Sequence, residues 1–177
     1  GSLPLPKGPP GSWTTESAMQ LFAGELVGRD YDNGKQMFAA GRCAACHRFQ
    51  GSGGYAGPDL GTVGKRFTIR DILVAICEPS QSISEQYQAS KITQRDGTVH
   101  YGRLIYRKPD ETAFAADPFA LGVLTKLPTS SIVSIEPSQG SMMPPATIAL
   151  MNADEVRDLI AYLVSGGNKK HKVFRKD

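Results

Sequence analysis

Cys43-Ala44-Ala45-Cys46-His47 follows the run Asn33–Ala40 and opens onto the glycine-rich stretch Gln50–Gly64, and the reading of this 177-residue chain turns on it. Two thiols two residues apart, with an imidazole directly attached, are compatible with three chemistries. A zinc knuckle would need a second Cys/His pair at ligand spacing, and the remaining candidates, Cys77, His100 and His171, are isolated. A thioredoxin-type dithiol belongs in a βαβ setting, whereas this motif follows a predicted helix and precedes a loop with six glycines and Pro58. In the third, the thiols add to the two vinyl groups of a haem and the adjacent imidazole reaches the iron from the same side. The expected cofactor is therefore one covalent haem c, with Cys43 and Cys46 as attachment points and His47 as proximal iron ligand.

Working outward, the run Asn33–Ala40 predicts a helix that delivers the chain to Cys43, with Asn33 as N-cap and Met37 and Phe38 as buried side chains. An earlier short helix is expected between Thr14 and about Val27. Thr68-Ile69-Arg70-Asp71 reads as a capping box for a helix carrying Ile69, Ile72, Leu73 and Ile76, closed by Pro79. The last helix has Asn152 as cap, Glu155 in the third position, an apolar stripe of Val156, Leu159, Ile160 and Leu163, and Gly166-Gly167 as terminator. Between these lies a stretch of different character. Short β-branched and aromatic runs broken by Asp96-Gly97, Lys108-Pro109-Asp110, Asp117-Pro118 and Leu121-Gly122 predict five antiparallel strands near 87–95, 98–107, 111–115, 122–127 and 131–136, curled into a small barrel or a strongly bent sheet.

Just before the last helix, Ser141-Met142-Met143-Pro144-Pro145 offers a thioether in a proline-stiffened loop. Met143, directly before Pro144, is the candidate for the sixth iron position. Met142 is the alternative in the loop, and His100 is the runner-up from a predicted strand. Both methionines also suit a bland role as gap-fillers.

Composition excludes several classes. Apolar residues make up 40% and charged residues 21%, within the globular range, and no apolar run approaches the ~20 residues of a membrane span. The net charge of +3 is concentrated in Lys169, Lys170, Lys172, Arg175 and Lys176, which predicts a solvated basic tail over a nearly neutral body rather than a nucleic-acid surface. Three cysteines argue against a disulfide framework, and Cys77 reads as a small packing residue. There is no Ser/His/Asp set, phosphate loop or carboxylate cluster, so no catalytic residue is predicted.

These residues together resemble class I cytochrome c. Gly34 and Phe38 match the family's Gly-x-x-x-Phe helix, Gly57-Pro58-Asp59-Leu60 its Gly-Pro-x-Leu element, Met143-Pro144 its methionine loop, and Leu159, Tyr162 and Leu163 its final helix. The resemblance implies a mainly α cytochrome c fold and a Pro58 carbonyl that accepts a hydrogen bond from the His47 ring; Gly57, Pro58 and Leu60 then join the haem-binding residues. Met143 lies 96 positions after His47, far more than a minimal member needs, and the surplus coincides with the β-rich stretch. Cys-His-Arg-Phe-Gln-Gly, Gly-Pro-Asp-Leu, Glu-Pro-Ser-Gln-Ser-Ile and Arg-Asp-Gly-Thr are similar to the C-terminal haem-binding domain of large planctomycete and verrucomicrobial proteins, over roughly residues 30–165.

The expectation is thus a mainly α cytochrome c fold with an inserted small antiparallel β module, α+β overall. Residues 1–13 are read as a tag scar and flexible segment, 14–165 as the cytochrome c domain with its β-rich insertion at about 86–137, and 166–177 as the basic tail. The expected function is electron transfer, not catalysis, with His47 and Met143 as axial ligands, serving a redox partner protein or a fused dehydrogenase domain. The alternatives are a haem-based ligand sensor and, less favoured, a peroxidase-like enzyme. Covalent haem attachment places the protein in the periplasm or elsewhere outside a bacterial cytoplasm.

Overall fold

A computed structural model describes residues 2–176; the reading of Gly1 as part of a tag scar and the place of Asp177 in the tail lie outside the described residues. The described residues form six α-helices, α1 (Thr15–Met19), α2 (Tyr31–Ala40), α3 (Cys43–Cys46), α4 (Val63–Arg66), α5 (Ile69–Cys77) and α6 (Ala153–Val164), and seven strands. The strands are β1 (Arg48–Phe49), β2 (Ser52–Gly53), β3 (Ser90–Gln94), β4 (Val99–Arg107), β5 (Glu111–Ala115), β6 (Thr125–Pro128) and β7 (Ile132–Pro137). The chain divides into two compact units, one of residues 1–81 with 145–177 and one of residues 82–144.

The first unit is built on α2 and α6. Asp30, not Asn33, caps α2: its carboxylate accepts the Asn33 amide at 2.9 Å, and the helix starts at Tyr31. Asn152 and Glu155 form the expected capping box of α6, as Thr68 and Asp71 do for α5. Gly166 and Gly167 end α6 with φ of +61° and +73°, a conformation in which side-chain-bearing residues are strained. The crossing of α2 and α6 is close because Gly34 lacks a side chain. A methyl group there would overlap the Asp158 carbonyl and lie 2.9 Å from Tyr162 Cβ. Around it Phe38, Phe49 and Tyr162 pack with ring centroids 5.0–5.7 Å apart. Tyr31 extends this cluster to Phe174, and Arg29 and Gly28 donate backbone hydrogen bonds to Val173 and Arg175, so the basic C-terminal stretch is held against α2. The helix expected from Thr14 to Val27 is only α1 followed by a 3₁₀ turn, Gln20–Phe22.

The second unit is an open five-stranded antiparallel sheet in the order β6-β5-β4-β3-β7. Asp96-Gly97 makes the β3–β4 turn, with Gly97 at φ +87° and Asp96 Oδ1 accepting the Thr98 amide at 2.9 Å. Ile92, Phe114 and Ile132 are its buried core, with Leu127 and Ile135 packed against them. Register shifts at Thr93/Gln94 and Leu104/Tyr106 bend the sheet, and β6 and β7 remain its two edges, so it is not a barrel.

The expectation of a mainly α fold is overturned: helix accounts for 32% and strand for 19%, an α+β mixture. The physical reason lies in chain stiffness and pairing. Around the motif, glycines and turns limit α3 and α4 to single turns, while five strands pair into one sheet with a core of their own.

The Gly34 contact is directly testable. Gly34→Leu should force α2 and α6 apart and destabilise the holoprotein by about 3 kcal/mol, read as a lower denaturant midpoint. An unchanged midpoint would show that the crossing tolerates a side chain.

Candidate functional site

Gly41 follows α2, and Arg42, at φ +55°, turns the chain so that Cys43 begins a new helical turn. That turn, α3, places Cys43 and Cys46 at i and i+3, on one side of the backbone. The His47 amide bonds the Cys43 carbonyl at 2.9 Å and His47 itself is extended, which ends the helix and swings the imidazole out.

The glycine loop closes on this turn. Gly54 and Gly57 donate to the carbonyls of Ala44 and Cys46 at 2.9 and 2.8 Å, and Leu60 donates to Arg48 at 2.9 Å. The His47 ring bonds Pro58 through Nδ1, 2.8 Å from the carbonyl oxygen. A carbonyl only accepts, so Nδ1 carries the proton and Nε2 keeps its lone pair. Burial lowers the pKa of His47 and the Pro58 bond offsets part of that shift, favouring the neutral form that a metal ligand requires. Gly57 lies flat on the imidazole: a methyl there would sit 2.7 Å from Nδ1 and 3.0 Å from Nε2. Leu60 is half-buried and Pro58 exposed. Burial also pushes the Cys43 thiol up to about 12, with the nearby Cys46 adding to it.

β1 and β2 form a hairpin that carries the chain away from His47. Its two-residue turn, Gln50-Gly51, has φ of +51° and +79°, the pattern of a type I′ turn. Gln50 holds this strained position by donating to the Gly167 carbonyl at 2.7 Å, and Tyr162 donates to Gln50 Oε1 at 3.4 Å. Sequence reasoning passed over Gln50, although Gln-Gly between Phe49 and Ser52 was a legible turn signal. It also missed Asp158, which is 3% exposed and accepts from the Asp30 amide at 3.1 Å and Asn33 Nδ2 at 2.8 Å while pairing with Arg29 Nε at 2.9 Å. Nothing in an apolar helix stripe distinguishes such a buried carboxylate from a solvated one.

Cys43, Cys46, His47, Gly57, Pro58 and Leu60 are thus gathered in the first unit. Met143 stands at the end of the second, half-buried, with its amide donating to Ser141 Oγ at 3.1 Å. Met142 lines a cleft of about 720 Å³ within that unit, beside Tyr101, Gly102 and Ala116. His100 is engaged in the sheet, its Nε2 2.8 Å from Gln94 Oε1 and its ring 5.3 Å from that of Phe114. The donors gathered at the motif are one imidazole, neutral at Nε2, and two thiols, and no group of three or more metal-binding Cys, His, Asp or Glu side chains occurs among the described residues.

That donor set fits a covalent haem: an imidazole with a fixed tautomer, two thiols on one helical turn, and a glycine wall without side chains beside the ring. In agreement, the family model described as Cytochrome c matches residues 31–99, from the start of α2 into β4. No curated protein matches the chain. The match implies a covalently bound, iron-containing haem c as the cofactor of this segment. It supports a haem-binding, electron-transfer cytochrome, a class typically found outside the cytoplasm. Among the described residues no helix is long and apolar enough to cross a membrane.

The raised Cys43 pKa gives a pH-dependent expectation. Only the thiolate attacks alkylating agents or disulfides, and at pH 8 a thiol of pKa about 12 is ionised about a thousandfold less than an ordinary one. In the haem-free chain under folding conditions, Cys43 should therefore be alkylated far more slowly than in urea, with a rate that still rises tenfold per pH unit above pH 9. Mass spectrometry of the alkylated peptide measures this, and a plateau near pH 9 would contradict it.

Proposed function

We propose that this chain is an electron-transfer cytochrome in which Cys43 and Cys46 would carry the haem and His47 and Met143 would hold its iron. The observation that carries the reading is the bond between His47 Nδ1 and the Pro58 carbonyl, which leaves Nε2 as the ring's only donor atom. On this reading residues 14–165 are the cytochrome domain, 86–137 an insertion in it, and 1–13 and 166–177 its flanks. The chain exchanges electrons with a redox partner protein or a fused dehydrogenase domain, in the periplasm or another extracytoplasmic compartment. The four-motif likeness to the haem domains of large planctomycete and verrucomicrobial proteins supports a partner domain on the same polypeptide.

The bound haem supplies a one-electron ferric/ferrous couple. The chain's residues hold geometry and proton constant while that couple turns over. Pro58 keeps the proton on Nδ1 in both states, so His47 stays a neutral ligand of fixed orientation. Gly57 prevents a side chain from displacing the ring, and Leu60 contributes apolar cover. Cys43, held as a protonated thiol at neutral pH, is a poor nucleophile toward a disulfide, which favours the reduced pair needed for attachment. Met143 contributes a neutral thioether, which favours ferrous iron more than a second imidazole would and raises the potential.

Two results test this. In the wild type the haem should resist acidic organic solvent, whereas Cys43→Ser with Cys46→Ser should leave apoprotein or extractable haem; extractable haem in the wild type would end the covalent reading.

Met143→Ala should abolish the weak near-infrared sulfur-to-iron band of the ferric protein, lower the potential and admit carbon monoxide to the ferrous protein. Met142→Ala should keep the band and, because Met142 is only half-buried, cost less packing than the roughly 2–5 kcal/mol of a fully buried methionine. Loss of the band with Met142 instead moves the ligand by one residue, and indifference to both directs attention to His100. Ready carbon monoxide binding by the unaltered protein would favour a ligand sensor.

A further inference from the structure

Residues Lys7–Trp13, expected to be flexible, are tied to the segment that follows the methionine loop. Trp13 Nε1 donates to the Met151 carbonyl at 2.8 Å, Asn152 Nδ2 donates to the Gly8 carbonyl at 2.9 Å, and the Lys7 amide donates to Glu155 Oε1 at 2.6 Å. Glu155 is 2% exposed and also accepts the Asn152 amide, so a buried carboxylate gathers both chains at the start of α6. Gly11 lets the Trp13 indole lie against the backbone, where a methyl group would overlap the ring.

The segment held in this way is a turn, residues 145–150, that leads from Pro144 to Asn152. Ala146 takes φ +64°, the Ala149 amide bonds the Ala146 carbonyl, and the Met151 amide bonds the Ile148 carbonyl, both at 3.0 Å. Ile148 and Met151 are 3% and 1% exposed. The methyl group of Met151 borders Gly41, as does Cys43 Sγ. Met151 therefore has its carbonyl on the N-terminal segment and its side chain beside the start of the attachment turn.

We propose that the N-terminal segment is a strap for the ligand loop, with Trp13 as a positioning residue that governs how firmly Met143 holds the iron; this rests on Met143 being the sixth ligand. Seven residues separate Met143 from Met151. A thioether is a weak ligand, so its occupancy follows the local concentration at which the loop presents it, and anchoring one end of a short loop raises that concentration. Releasing Trp13 removes the anchor and strands the Met151 carbonyl. Electron transfer itself needs no contact between Trp13 and the haem.

The test is carbon monoxide association with the ferrous holoprotein, which proceeds only when the thioether has left, so that its rate reports the open fraction. Trp13→Phe keeps the ring and removes the donor; it should raise that rate about tenfold, the scale of one lost buried hydrogen bond, and weaken the near-infrared band with the haem still covalent. Lys7→Pro removes the amide donor at the other end of the strap and should act in the same direction, while Lys7→Ala keeps that amide and should not. If Trp13→Phe and Lys7→Pro lower the thermal midpoint but leave carbon monoxide association at the wild-type rate, the segment is a structural clamp only and the proposal fails. If Met143→Ala retains the near-infrared band, the ligand assignment fails and the strap loses its object. That second outcome is separable from the first because it needs no change in the strap.

Discussion

The hydrogen bond from the His47 ring to the Pro58 carbonyl is the constraint around which the site is arranged. An imidazole has two nitrogens that exchange roles, and a ligand that can rotate or change tautomer defines no electronic environment. The carbonyl settles both questions at once, because it accepts a hydrogen bond and can donate none. It can do so only if the backbone of the loop comes within 3 Å of the ring. That approach is possible because Gly57 has no side chain, and it is maintained by the backbone bonds from Gly54 and Gly57 to the attachment turn. The glycines of this stretch therefore set the position of the His47 ring rather than being slack in the chain.

A loop this short in regular structure needs a rigid base. α2 and α6 supply it, crossing closely at Gly34, with Phe38, Phe49 and Tyr162 between them and the Gln50 hairpin. Asp158 gives the crossing its register. A buried carboxylate is costly unless every oxygen is occupied, and Arg29, Asn33 and the Asp30 amide occupy it, so sliding one helix along the other would strand a charge. Gln50 extends the same logic to the hairpin, where a strained left-handed residue is held by the end of α6. The motif is thus fixed from both sides, by the helix that precedes it and by the helix that ends the unit.

For electron transfer this arrangement matters because little has to move when charge changes. A neutral histidine with a fixed proton and glycine-lined walls limit proton uptake and rearrangement at the centre. The sheet of residues 82–144 has its own core and its own hydrogen bonds, and it ends at the Met142-Met143-Pro144 loop.

Much of the site was legible because its chemistry is local in sequence. Cys-x-x-Cys-His brings two thiols and an imidazole into five residues, Gly57-Pro58 lies only ten residues further on, and the capping pairs Thr68/Asp71 and Asn152/Glu155 each sit within one helical turn. The Asp96-Gly97 turn was equally local, since its φ > 0 requirement is written in two residues. What tertiary structure decided depended on distant partners. The balance of helix and sheet, the buried pairing of Asp158 with Arg29, and the seating of Trp13 on Met151 were visible only in the fold. Hydrogen bonds and close packing across more than a hundred residues leave no periodic trace in sequence, because their energy comes from proximity that the folded chain itself creates.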